Sequence, residues 1–381
     1  ASAMTPAGPG FALVQGTNDS SIVSKCSAAR HGYFNDPFLS RVVEKQHRRA
    51  PLINRGYAIR YHAVTYALER FLEWRGRAAP DRACQVLNLG AGFDTLAFRM
   101  LASGPAGVVA FDVDFPEVMT NKGRLIEQDD TLRRFASRPE YRRVAADLRN
   151  LLVVERELAA AGCDFSLPTF VLSEVVLPYV FPLAAADGVV SWVAQRFQHC
   201  TMAAYEQLHV RTPFGGVLMR HFDRIRSPLC SPTTYPTQDA QIARYLKCGF
   251  QGAACVDMVH LSTVTAGEIL ARWADLEPFD EFEEWHLKCA HYGLVVGTTG
   301  DCSAVGWSFL PPATAGWPPQ APVDPLFVPA TVAGAPDVRR FGHCAAPLPD
   351  GRVAVFGGFG VGFDLAAGRL DPQSTHQRLG S

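Results

Sequence analysis

QVLNLGAG, residues 85–92, is an apolar run that ends in glycines, the pattern of a buried parallel strand where it meets a helix. Asp94 to Leu101 is expected to continue as that helix. The same alternation recurs downstream. GVVAFDVDFP (107–116) reads as a second strand stopped by Pro116, and RRVAADL (142–148) as a third. NLLVVERELAAAG (150–162) is a helix closed by Gly162. LPTFVLSEVVLPYV (167–180) is a fourth strand and turn, and a helix near 183–197 leads to a fifth strand, CTMAAYEQ (200–207). AACVDM (253–258) and AHYGLVVGTTG (290–300) read as late strands around the acidic helix EPFDEFEEWHLKC. Strands alternating with helices imply an α/β fold with a doubly wound parallel sheet.

Working outward, Ile22 to Trp74 is mostly helical in character. Val64, Leu68, Phe71 and Leu72 fall on one helical face, and the Arg-Gly-Arg-Ala-Ala-Pro-Asp segment at 75–81 breaks the run. Residues 1–20 are small and polar and are expected to be disordered; 21–305 form the main domain. Residues 306–337 carry so many prolines that a linker is expected. Within 338–381, RRFGHCAAPLPDGRVAVFGGFG alternates like a strand hairpin around Pro-Asp-Gly.

At 381 residues and about 150 per domain, two or three domains are expected. Hydrophobic residues at 48% and charged residues at 19% exclude wholesale disorder. Thirty-six basic against 37 acidic residues give a net charge of −1, which argues against a generic polyanion binder and leaves room for a local basic face. Two stretches qualify, Arg41 to Arg60 and Arg133 to Arg143; they read as phosphate contacts or as a solvated face. Ten cysteines without a CxxC pair, no signal-like start and no apolar run near roughly 18 residues point to a cytoplasmic protein without a membrane span.

The chemistry concentrates around LNLGAGFDT and FDVDFP. A glycine pair after the first strand lets a ligand approach the backbone, with helix N-terminal amides facing it. Asp112 and Asp114, about 20 residues on, stand where ribose hydroxyls would be bound. Gly90-Ala91-Gly92 has no third glycine at dinucleotide spacing, which favours a nucleoside without a pyrophosphate, S-adenosylmethionine being the candidate. The alternative is a tight turn with no ligand. Asp147 and Leu148 end the third strand and Glu174 the fourth, on the edge where open α/β sheets bind ligands; each acid alone reads equally as a solvated strand end. Lys25 and Arg60, in a helical segment able to fold over the site as a lid, are candidates for the ligand carboxylate or solvated charges. His286, Cys289 and His291 read as core residues, so no metal is expected, and Ser173 lacks a nucleophile elbow.

GTNDSSIVSKCSAARHGYFNDPF, APLINRGYAIRYHAV, LNLGAGFDT, FDVDFP, AADLRNL, LSEVVLPYV, YEQ and EPFDEFEEWHLKCAHY together resemble the leucine carboxyl methyltransferase family over residues 16–300. The resemblance implies a Rossmann-like fold and S-adenosylmethionine as cofactor. It places Lys25 and Arg60 on the cofactor carboxylate, Gly90 in the cofactor loop, Asp114 and Asp112 in the ribose segment, Asp147 and Leu148 at the adenine, and Glu174 as the fourth-strand acid. One branch of that family methylates the C-terminal leucine carboxylate of a phosphatase catalytic subunit. The other acts in wybutosine synthesis on phenylalanine tRNA, esterifying the modified guanosine's side chain before methoxycarbonylation, and carries kelch repeats after the same domain. The segment from Arg339 onward is similar to the start of a kelch blade and favours the second branch. A single blade cannot close a propeller, so a shortened form is expected, active or reduced to a binding protein. A carboxylate acceptor is already an anion at neutral pH, so no catalytic base is assigned.

Overall fold

Every side chain of the first strand, β1 (Cys84–Leu89), is buried, because helices cover both faces of the sheet it centres. The computed structural model describes residues 9–43, 45–104, 106–265, 267–307, 338–347, 353–364 and 369–371. Three helices precede β1: α1 (Pro9–Arg30), the short α2 (Leu39–Val42) and α3 (Pro51–Ala78). After it come α4 (Leu96–Ser103), β2 (Val108–Asp114), α5 (Pro116–Gln128), α6 (Asp130–Ala136), β3 (Tyr141–Ala145), α7 (Leu151–Ala160) and β4 (Thr169–Glu174). Then follow α8 (Leu183–Arg196), β5 (Cys200–Gln207), α9 (Pro213–Arg224), α10 (Gln238–Lys247) and β6 (Gly252–Asp257). Helices α11 (Met258–Thr265), α12 (Gly267–Ala274) and α13 (Phe282–Ala290) lead to β7 (Tyr292–Thr299).

The strand order is β3-β2-β1-β4-β5-β7-β6. β1 to β5 run parallel, as expected, whereas β7 lies antiparallel between β5 and β6, so the sheet is mixed. Side chains alternate between two cores. Val86, Phe170, Leu172 and Ala203 face the layer of α1, α3 and α4. Leu87, Val171, Met202 and Ala204 face α7, α8 and α10. Local signals set the helix starts: prolines open α3, α5 and α9, and Asn150 caps α7 by accepting from Val153 N–H at 3.3 Å.

Several boundaries differ from expectation. Residues 9–20 belong to α1; the stretch from Phe11 to Val23 has no proline and several good helix formers, while residues 1–8 lie outside the described residues. The third strand stops at Ala145, and the helix expected from Asp94 starts at Leu96, because the Asp94 carboxylate accepts from the Thr95 and Leu96 amides and acts as its cap. Four helices, α9 to α12, are additional to those expected from the sequence. The chain divides into two units, residues 1–310 and 311–381. In the second, β8 (Val338–Pro347), β9 (Val353–Asp364) and β10 (Arg369–Asp371) form an antiparallel sheet in the order β10-β9-β8. The Pro-Asp-Gly turn and the proline-rich stretch from 308 lie outside the described residues. Among the described residues no helix is long and apolar enough to cross a membrane.

The N-terminal helices are tied to the rest by Glu277, which is 5% exposed. Its carboxylate accepts from Tyr33 Oη at 3.0 Å, Asn54 Nδ2 at 3.0 Å and Arg48 Nη2 at 2.9 Å. Burial pulls the Glu277 pKa up, and these donors outweigh it and hold it below 4.5. A folded-state value below the unfolded one means stability present above the unfolded pKa and lost as pH falls through the folded one. Glu277→Gln should therefore lower unfolding free energy by about 1–3 kcal/mol at pH 7. In denaturant titrations the difference from wild type should shrink below the unfolded carboxyl range; a pH-independent difference would remove the charge from this explanation.

Candidate active site

Strand order reverses between β1 and β4, which opens a crevice at the carboxyl ends of the parallel strands. The loop after β1 enters it. Gly90 and Gly92 have φ of +64° and +48°, which glycine adopts freely. A Cβ at Gly90 would stand 2.5 and 2.7 Å from the two Val176 methyls, so the loop comes as near to the turn after β4 as a bare backbone allows. That turn is itself strained: Val175, a β-branched residue, has φ +58° and donates its N–H to Tyr205 O at 3.0 Å.

Into this crevice four charged side chains converge. Lys25 from α1 donates to Glu174 Oε2 at 2.7 Å and to Asp94 Oδ2 at 3.3 Å. Arg60 from α3 pairs through Nε with Glu174 Oε1 and reaches the Glu174 carbonyl at 3.4 Å. Its guanidinium lies 5.5 Å from the Tyr57 ring and 5.4 Å from the Tyr205 ring. Burial opposes the charge on Lys25, and Asp94 and Glu174 outweigh it, so its pKa rises. Burial likewise opposes Asp94, yet Lys25, Arg99 and Lys122 hold its carboxyl well below the usual range. The set is a cluster of two cations and two acids.

The cleft around it has a volume of about 700 Å³ and is lined by Lys25, Arg60, Gly90, Asp114, Asp147, Leu148 and Glu174 among others. Seven of the eight residues singled out in the sequence thus meet at one cavity. The eighth, Asp112, does not. It is 2% exposed and bonded to Lys122 Nζ at 2.7 Å and Tyr141 Oη at 2.9 Å. It shares a sheet face with Asp114 but sits one pleat further in, beneath α5, and its carboxylate serves the Lys122 ammonium. Asp114 stands at the strand end, where it accepts from Gly92 N–H at 2.7 Å and Phe115 N–H at 2.7 Å; burial nevertheless raises its pKa. Asp147 is fixed by Arg149, whose amide and Nε lie 2.9 and 3.0 Å from Oδ1.

Other lining residues carry weaker sequence signals. Asp94 is expected only as the first residue of the helix after the glycine loop. Asn88 sits inside the apolar β1, and its Nδ2 is buried on the cleft side without a partner among the described residues. Tyr57, Tyr179, Gln207 and Tyr292 complete the wall near Arg60, and His221, Phe222 and Ile225 come from α9 and the turn after it. Tyr57, Tyr179, Gln207 and Tyr292 fall inside the sequence blocks that carry the family resemblance, but no spacing assigns them a role. His291, by contrast, is a core residue, with Nδ1 2.6 Å from Leu287 O and Nε2 2.5 Å from Thr212 Oγ1.

The expected basic stretches are largely engaged within the chain. Arg41 pairs with Asp129, Arg48 with Glu277, and Arg55 lies over the Phe279 ring at 3.9 Å. Arg134 and Arg138 cover Phe135, while Arg142 and Arg143 donate to the Ala161 and Met119 carbonyls.

The sequence profile described as "Leucine carboxyl methyltransferase" matches residues 13–194. Over 368 residues the chain is 37% identical to the human "tRNA wybutosine-synthesizing protein 4", covering 91% of this chain and 53% of that protein. It thus spans about half the length of that relative. It is 33% identical to the Arabidopsis thaliana "Leucine carboxyl methyltransferase 1 homolog", covering 74% of this chain and 87% of that one. The rat "Leucine carboxyl methyltransferase 1" is 30% identical over 75% of this chain and 90% of its own length.

Removing one member of a buried ion cluster leaves its partners desolvated and unpaired. Glu174→Gln should destabilise the fold by about 3–5 kcal/mol. Adding Lys25→Met should recover part of that loss, because the orphaned cation goes with it. Strictly additive losses in chemical denaturation would mean that the two side chains are not coupled.

Proposed function

The chain belongs to the leucine carboxyl methyltransferase family, and on that premise we propose that it is an S-adenosylmethionine-dependent carboxyl methyltransferase acting in wybutosine synthesis on phenylalanine tRNA. Its acceptor would be the side-chain carboxyl of the modified guanosine, with methoxycarbonylation of the amino group following. The observation that carries the chemistry is the pair of cations, Lys25 and Arg60, held over a glycine loop whose far side presents Asp114 and Asp147. The tRNA reading is favoured by extent: the likeness to the wybutosine-synthesising relative runs over 91% of the chain, that to the two leucine carboxyl methyltransferase 1 relatives over about three quarters.

The residues suit the cofactor. Gly90 and Gly92 present bare backbone to the cleft, and Asn88 Nδ2 is a buried donor in want of an acceptor. Lys25 and Arg60, which already pair with Glu174, would take the amino-acid carboxylate. Asp114 keeps lone pairs for ribose hydroxyls, and Leu148 offers an apolar edge beside Asp147. Bound there, S-adenosylmethionine supplies an electrophilic methyl group. Everything else falls to the chain: it aligns the acceptor oxygen, excludes water with the Tyr57, Tyr179 and Tyr292 wall, and balances charge. An ordinary carboxyl has a pKa of about 4, so the acceptor arrives ionised and no base is required.

The test is methyl transfer from labelled S-adenosylmethionine to phenylalanine tRNA carrying the unmethylated wybutosine precursor, and separately to a phosphatase catalytic subunit. Label in the tRNA is the expected result. Label only in the phosphatase would overturn the tRNA reading and keep the carboxyl chemistry; label in neither, with cofactor bound, would leave a binding protein.

A further inference from the structure

Between β5 and α10 lies an excursion, residues 208–237, with α9 at its centre. Thr212 caps α9 by accepting from Gly215 N–H at 3.0 Å, and Pro213 opens it. Gly215 alone among its residues is buried; a side chain there would run into the backbone of His209 and Val210. One side of α9 turns His221 and Phe222 to the cleft, and Ile225 follows them. Another leaves Val217 56% exposed and, at spacings of three and seven residues, carries exposed Arg220 and Arg224. Residues 211–226 hold Arg211, Arg220, Arg224 and Arg226 against one acid, Asp223. Among the described residues Arg220, Arg224 and Arg226 have no ion pair, whereas Arg41, Arg48 and Arg60 in the 41–60 stretch and Arg133 in the 133–143 stretch are each paired with an acid.

A second observation comes from the end of the helix. Ser227 N–H reaches Phe222 O at 2.9 Å and Arg226 N–H reaches Asp223 O at 2.9 Å, a Schellman closure with Arg226 at the left-handed position, φ +56°. Glycine is the usual occupant. Here the chain accepts backbone strain to set an arginine at the rim, one residue past Ile225.

We propose that α9 and the turn after it form the docking surface for the phosphate backbone of the tRNA substrate, with Arg220, Arg224 and Arg226 as its cations. The proposal rests on the tRNA reading above. A nucleotide whose base enters the cleft leaves its flanking phosphates outside it, and these exposed arginines stand beside the cleft-lining residues His221, Phe222, Ile225 and Ser227 in the chain. Phe222 and Ile225, between rim and cleft, offer apolar surface to an unstacked base.

Two variants test it by tRNA binding across a salt titration: the double reversal Arg220→Glu with Arg224→Glu, and Arg226→Gly. Both should weaken tRNA binding, the reversal by tenfold or more, and lower the salt slope by about one for each phosphate that is no longer neutralised. S-adenosylmethionine affinity should stay at the wild-type value. Glycine suits the left-handed turn, so Arg226→Gly should not lower the melting temperature, which separates weakened docking from unfolding. If wild type binds tRNA and the variants match it in affinity and slope, the docking surface is wrong while the substrate reading stands. If wild type binds no tRNA and takes the phosphatase subunit instead, both fall.

Discussion

Lys25, Arg60, Glu174 and Asp94 come from α1, α3, the end of β4 and the loop after β1, and the site exists because these two cations and two acids balance one another where those segments meet. Moving any one of them out of water alone would be prohibitive, so none is tolerable without the others. The consequence is mechanical as well as electrostatic. Helices α1 and α3 are anchored to the carboxyl edge of the sheet at the point where strand order reverses, and Glu277 fastens the start of α3 and the segment between the two helices through Asn54, Tyr33 and Arg48. Asp94 belongs to both structure and site, since one oxygen caps α4 while the other meets Lys25.

Around that cluster the backbone is unusually constrained. Gly90 and Val175 both occupy left-handed conformations, and the Val176 methyls fill the space a Cβ at residue 90 would need. A cleft so built is preorganised: its polar groups are fixed by neighbours before any ligand arrives, as Asp114 is by two backbone amides and Asp147 by Arg149. Such fixing favours a reaction that asks for alignment and charge balance more than for proton transfer.

Much of this was legible because the signals are local. QVLNLGAG announces a strand followed by left-handed glycines, CTMAAYEQ coincides with β5, and Asp114 and Glu174 at strand ends share one cleft with Asp147, two residues past β3. Asp112 was misplaced because alternation puts it on the same face as Asp114 but says nothing of depth; the deciding partner, Lys122, comes from a helix whose packing no pattern reveals. The wall of Tyr57, Tyr179 and Tyr292 joins residues far apart in the chain, and α9 stands so exposed that its apolar residues form no buried stripe to read. The antiparallel insertion of β7 between β5 and β6 is likewise a long-range choice, invisible to a window of neighbouring residues.

The account turns on whether Lys25 and Arg60 read a carboxylate in the cleft. Calorimetric titration of this chain with S-adenosylmethionine and with its decarboxylated analogue answers that directly, since the two ligands share the sulfonium, the ribose and the adenine. The account predicts that the analogue binds at least about tenfold more weakly, equivalent to roughly 1.4 kcal/mol or more. Equal affinity for the two would show that the cations serve only Glu174 and Asp94, and the assignment of the site would have to be abandoned.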